Sequence, residues 1–180
     1  MPTLPERVVA LHDALTHLPH AFGGALALAY YAEPRATIDI DLNVFVSADR
    51  YADVAAPLIA LGVHADEPDA VAAVTRDGQT RVMWDATPID LFFSYDAFHD
   101  AAAAACRSVP FADSTIAILA PEHLVVCKVV FDRAKDWVDI DAMIEADIAL
   151  DAAEVLRWVG RIAGDTDARY QRIASVLTRR

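Results

Sequence analysis

The chain has 180 residues, of which 56% are hydrophobic and 23% charged, and its formal net charge is −12. That composition excludes a disordered segment and is enough for one domain with a real core, with room for a small helical annex. Residues 1–127 hold 6 Lys+Arg against 17 Asp+Glu, a net −11, and residues 128–180 hold 9 against 10, a net −1; this acidity argues against non-specific nucleic-acid binding, which needs a basic surface, and leaves the C-terminal third as the one place tolerant of a polyanion.

In chain order, Leu4, Val8, Leu11, Leu15 and Leu18 recur at helical spacing. They predict a helix over 4–18 that Pro19 ends. It is amphipathic and contains acids, so it does not read as a signal peptide. "HAFGG" (20–24) reads as a short strand into a glycine turn, and "ALALAYYA" (25–32) as a short helix stopped near Pro34. "TIDIDLNVFV" (37–46) alternates: Ile38, Ile40, Leu42, Val44 and Val46 share one face, and Asp39, Asp41, Asn43 and Phe45 the other. A period of two predicts a strand. "YADVAAPLIALG" (51–62) predicts a helix closed by Gly62. "AVAAVTRDGQTRVMWD" (70–85) reads as two β runs joined by a hairpin at Asp77-Gly78. "TPIDLFF" (87–93) is a third β run, followed by an Ala-rich helix near 96–105 and a strand or loop over 107–118. Helices are expected at 121–133, 136–147, 151–162 and 167–178. The expected organisation is therefore α/β, a mixed sheet covered by helices over 1–120 and a helical portion over 121–180, packed as one unit. Cys106 and Cys127 form no CxxC pair and read as reduced thiols of a cytoplasmic protein. No apolar run approaches the ~18 residues of a membrane span.

The acidic face of the 37–46 strand raises a chemical question. Asp39 and Asp41, at i and i+2, would point the same way, about 6–7 Å apart. Like charges so placed repel unless a cation lies between them, and hard divalent ions prefer such oxygen donors. A wet strand face that happens to be acidic is the alternative. Asp90 is the charged residue of the β run 87–93, where a third carboxylate on a neighbouring strand would complete a two-metal cage; an edge position beside Pro88 would also explain it. Gly23-Gly24, at a strand-to-helix junction, suits either an anion-binding turn or a plain tight turn. Lys128 lies within the apolar stretch Leu124–Phe131. It must snorkel, pair or serve a ligand, and Asp132 is the local partner. A second Asp-x-Asp, Asp139-Ile140-Asp141, falls in a helical pattern with the stripe Trp137, Ile140, Ile144 and Ile148. Its two acids do not share a face, so Asp141 is expected in solvent and Asp139 at most in a supporting role.

Gly23, Gly24, Arg35, Thr37, Asp39 and Asp41 together resemble the first motif of the nucleotidyltransferase superfamily related to polymerase β. Within it the stretch is most similar to the AbiEii-type and MenT-type toxin nucleotidyltransferases. The resemblance extends loosely to 87–93 and to "APEHLVVCKVVFDRAKDWVDIDAM" (120–143), with Gly24 and Ala120 where many members carry serine. It implies the nucleotidyltransferase α/β fold and transfer of a nucleoside monophosphate from a triphosphate to an acceptor hydroxyl. It also implies Mg²⁺ (or Mn²⁺) held by Asp39, Asp41 and Asp90, with Asp90 also the general base. Phosphate would be bound by Gly23, Gly24 and Lys128, with Arg35 and Thr37 flanking the nucleotide and Asp136 or Asp139 orienting Lys128. The resemblance suggests RNA, such as a tRNA 3′ end, as acceptor, met by C-terminal arginines, and a toxin paired with a cognate antitoxin. A protein or small-molecule acceptor, a regulatory binding protein of the same fold, and a divalent-metal protein without transfer activity are the rival readings.

Overall fold

The alternating segment is the spine of a six-stranded sheet in the computed structural model, which describes residues 2–178. Helix α1 (Leu4–Ala14) leads into β1 (His20–Phe22), the short helix α2 (Gly24–Leu28) and β2 (Ile40–Ser47). Two helices follow, α3 (Tyr51–Ala60) and α4 (Pro68–Asp77), then β3 (Gln79–Trp84), β4 (Thr87–Ser94), α5 (Ala97–Ala105) and the pair β5 (Arg107–Phe111) and β6 (Ser114–Ile118). The chain closes with α6 (Pro121–Phe131), α7 (Ala134–Glu145), α8 (Ala152–Ala163) and α9 (Ala168–Leu177). Strand order is β3-β4-β2-β1-β6-β5. The β2–β4 and β1–β6 pairs are parallel and the others antiparallel, so the sheet is mixed.

Two units divide the chain. One comprises the chain through Leu26 and Ala36–Leu119, and holds the sheet; the other comprises Ala27–Arg35 and the chain from Ala120 on. In the sheet unit, Ile40, Leu42, Val44, Ile89, Leu91 and Phe93 are buried, while Asp41 and Asp90 between them are only half-buried. Each such apolar side chain contributes about 1.5–3 kcal/mol relative to exposure. In the helical unit, Leu124, Val125, Val129, Trp137, Ile140, Val155, Val159 and Ile173 are buried. No described helix is long and apolar enough to cross a membrane.

Three local readings are corrected. Residues 68–77 form a helix, not a strand: Pro68 starts it and Ala70 and Val74, one turn apart, face the core. Gly78 (φ 66°) ends that helix in the left-handed conformation instead of turning a hairpin. The hairpin lies further on, between β3 and β4, where Asp85 has φ 50°. Helix α1 stops at Ala14, and a turn in which the Leu18 N–H bonds the Leu15 carbonyl carries the chain to Pro19. The β2 ladder begins at Ile40, paired with Ile89, and Ile38 is 71% exposed. Asp39 therefore precedes the strand.

Candidate functional site

Asp41 and Asp90 are register partners on the parallel strands β2 and β4, and Asp90 is the register partner of Arg81 on antiparallel β3. Partners in register point to the same face of a sheet about 4.8 Å apart, so the three side chains form a row across it. The Arg81 guanidinium forks onto Asp90: Nε donates to Oδ1 and Nη2 to Oδ2, each at 2.7 Å. The same Nη2 lies 3.7 Å from Asp39 Oδ2. These contacts hold the guanidinium even further above its ordinary titration range, through the hydrogen bond to Asp90 against some burial, and then through the charges of Asp90, Asp39 and Asp41.

The glycine pair lies beside the same carboxylates. The Gly23 N–H donates to the Asp41 carbonyl at 2.9 Å, continuing the β1–β2 ladder. Gly24 has φ 53°, and a Cβ there would collide with the Asp41 carboxylate; a Cβ on Gly23 would lie 2.9 Å from Asn43 Nδ2. The close approach of β2 side chains to this turn thus demands glycine at 24 and crowds any side chain at 23. The Asp39 N–H donates to Thr37 Oγ1 at 3.2 Å, and the hydroxyl donates to the Asp39 carbonyl at the same distance. Thr37 thereby orients the backbone that presents Asp39.

The donor chemistry of this face suits a hard divalent cation: carboxylate oxygens of Asp39, Asp41 and Asp90, with a cationic side chain already lying between two of them. Among the described residues no three His, Cys, Asp or Glu side chains close into a finished metal cage.

Arg81 is the site residue that sequence reasoning missed. Placing the hairpin at Asp77-Gly78 hid it. With the turn at Asp85-Ala86, Arg81 and Asp90 are equidistant from it and must face each other.

The helical unit holds a second charged cluster. Lys128 Nζ donates to Asp139 Oδ2 at 2.6 Å, and both side chains are buried. Arg35 forks onto the same carboxylate, Nε to Oδ1 at 2.9 Å and Nη2 to Oδ2 at 3.0 Å. Burial pushes the Asp139 carboxyl up, but the hydrogen bonds and charges of Arg35 and Lys128 outweigh it and hold the group below its ordinary value. Two expected partners of Lys128 are engaged elsewhere. Asp136, buried at the start of α7, accepts from the Arg133 backbone N–H and guanidinium. Asp132 ends α6 with φ 54° and accepts from Trp137 Nε1 at 2.6 Å. Arg35, expected beside the nucleotide, has its fork on Asp139, and Asp141 is exposed.

A mixed sheet with a glycine turn, an Asp-x-Asp entering one strand and a third aspartate on the parallel neighbour is the arrangement that the resemblance to nucleotidyltransferases implies. The solved structures agree. The chain is similar to the antibiotic-resistance factor ANT(2'')-Ia: its solution structure superposes with a TM-score of 0.62 at 15% identity, over 96% of each chain. The crystal structure of ANT(2'')-Ia in complex with adenylyl-2''-tobramycin gives a TM-score of 0.58 at 14% identity, over 98% of this chain and 99% of that one. No protein-family model and no curated protein matches the sequence.

Proposed function

We propose that this protein is a metal-dependent nucleotidyltransferase. The observation that carries the reading is the register row Asp41–Asp90–Arg81, with Arg81 paired to Asp90 and within 3.7 Å of Asp39. Asp39, Asp41 and Asp90 would hold Mg²⁺ or Mn²⁺. When bound, the ion supplies charge neutralisation on the triphosphate and on the leaving pyrophosphate. Asp90 also accepts the proton of the acceptor hydroxyl, whose oxygen bonds to the α-phosphorus as the α–β anhydride breaks and pyrophosphate leaves. Gly23, Gly24 and Lys128 are assigned to phosphate, and Arg35 and Thr37 to the nucleotide, on the sequence resemblance; for Lys128 and Arg35 this requires the contacts with Asp139 to be shared.

The acceptor we favour is a hydroxyl on a small cationic molecule. Net charge supports this, at −11 over residues 1–127, since an acidic surface concentrates cations. ANT(2'')-Ia, similar in fold, holds an adenylylated small molecule. An RNA acceptor, such as a tRNA end, and a toxin role with an antitoxin partner rest on the sequence resemblance alone. Several C-terminal arginines expected to meet RNA have internal partners. Arg157 pairs with Glu154, Arg169 with Asp167 and the Val130 carbonyl, and Arg161 and Arg172 lie over Trp158 and Trp137. Arg179 and Arg180 lie outside the described residues. A cytoplasmic location goes with either acceptor.

The test is transfer of label from α-labelled triphosphates, with Mg²⁺ or Mn²⁺, to a panel of hydroxylated amines and to total RNA. Label on the amines, lost in Asp39→Asn, supports the reading; label on RNA alone would move the acceptor to the toxin-type alternative. No transfer, together with no metal-dependent triphosphate binding by calorimetry, would leave a regulatory protein of this fold.

A further inference from the structure

Arg81 is paired with a carboxylate that a metal ion would need. Its fork takes both oxygens of Asp90, the proposed third ligand and proton acceptor, and its Nη2 lies near Asp39. The fork takes one lone pair on each Asp90 oxygen and sets a positive charge on that side of the carboxylate, so the guanidinium and a divalent cation compete for it. The side chain is 55% exposed, so nothing in the packing locks it there. It also lines a cleft of about 260 Å³ along α4 and β3, together with His64, Glu67 and Asp69.

From this geometry we infer that Arg81 is the resting counter-ion of the carboxylate face, and that divalent cations load by displacing it. The inference rests on the metal-dependent reading above and adds a residue to it. In the absence of metal, Arg81 neutralises part of the repulsion among Asp39, Asp41 and Asp90 and holds the Asp90 carboxylate in its fork. Metal binding frees Asp90 from the guanidinium and moves the arginine aside. The protein thus couples release of the Asp90 carboxylate from its fork to the arrival of the ion.

Mn²⁺ binding to the nucleotide-free protein, followed by the electron paramagnetic resonance of free Mn²⁺, tests this without any activity measurement. Arg81→Met should bind Mn²⁺ about five- to tenfold more tightly than wild type, because an exposed bidentate pair no longer competes. Arg81→Lys should shift the same way by less, since an ammonium keeps the charge but cannot fork. Without metal, Arg81→Met should melt below wild type, and the gap should close at saturating Mn²⁺, when the ion takes over as counter-ion. Equal or weaker Mn²⁺ binding in Arg81→Met would overturn the inference. So would an Arg81→Lys affinity equal to wild type beside a tightened Arg81→Met, which would mark simple repulsion at a distance. If Arg81→Met does not fold, the Arg81→Lys shift decides. Folded wild type and both variants showing no Mn²⁺ binding would instead sink the metal-dependent reading itself.

Discussion

Lys128 on α6 and Asp139 on α7 are joined by a 2.6 Å hydrogen bond in the interior of the helical unit, with Arg35 as the third member on the same carboxylate. Breaking such a pair leaves a buried charge short of its partner. Lys128→Ala should therefore destabilise the fold by about 2–4 kcal/mol in urea unfolding, moderated by the remaining Arg35 fork. A loss within about 0.5 kcal/mol would show that the ammonium is solvated. Triphosphate binding, measured where the variant stays folded, separates the phosphate role: unchanged affinity would make Lys128 purely structural.

Acid sensitivity follows from three buried groups. Burial holds His20 and His123 below their ordinary value of 6.5. The unfolded chain then takes up protons first, so their contribution is complete above pH 6.5 and declines as pH falls below it. Asp139 is held below its ordinary 3.8, so its contribution is present above that value and is lost as pH falls toward the folded pKa. The midpoint of chemical unfolding should decline in two stages, one beginning below pH 6.5 and one below pH 3.8. In Asp139→Asn the second stage should shrink.

Gly24 and Gly164 make a matched pair for substitution. Both have positive φ, 53° and 92°, but only Gly24 has a neighbour where a Cβ would go, namely the Asp41 carboxylate. Gly164→Ala should cost about 1–2 kcal/mol of backbone strain, whereas Gly24→Ala should cost more and also weaken Mn²⁺ binding by displacing Asp41. Equal thermal shifts for the two would show that the Asp41 side chain moves away freely.

Asp90→Asn keeps the size of the side chain and removes its basicity. It should lower kcat for nucleotidyl transfer by about 10²–10⁴-fold while leaving the fold intact. A variant within a few-fold of wild type would give the proton to another acceptor.

Local periodicity carried much of the reading of this molecule from its sequence. The two-residue alternation over 40–46 is a property of neighbours along the chain, and it exposed both β2 and the placement of Asp41. Helical spacing likewise marked α3 and α6 to α9 within a few residues of their observed ends. Pairing between elements is a different matter. Asp77-Gly78 satisfies the rules for a hairpin and for a left-handed helix end equally well, and only the packing of Ala70 and Val74 decides between them. That choice sets the β3–β4 register, and the register brings Arg81 to Asp90. Arg35 and Asp139 stand 104 positions apart, and their meeting was decided by Ala27–Arg35 joining the helical unit, a step that no local pattern records. Propensity acts over one turn or one pleat, so the sequence by itself determined most of the elements and the acids they carry, the 68–77 helix excepted. Which charges face one another depended on long-range closure of the chain, and only the tertiary structure decided it.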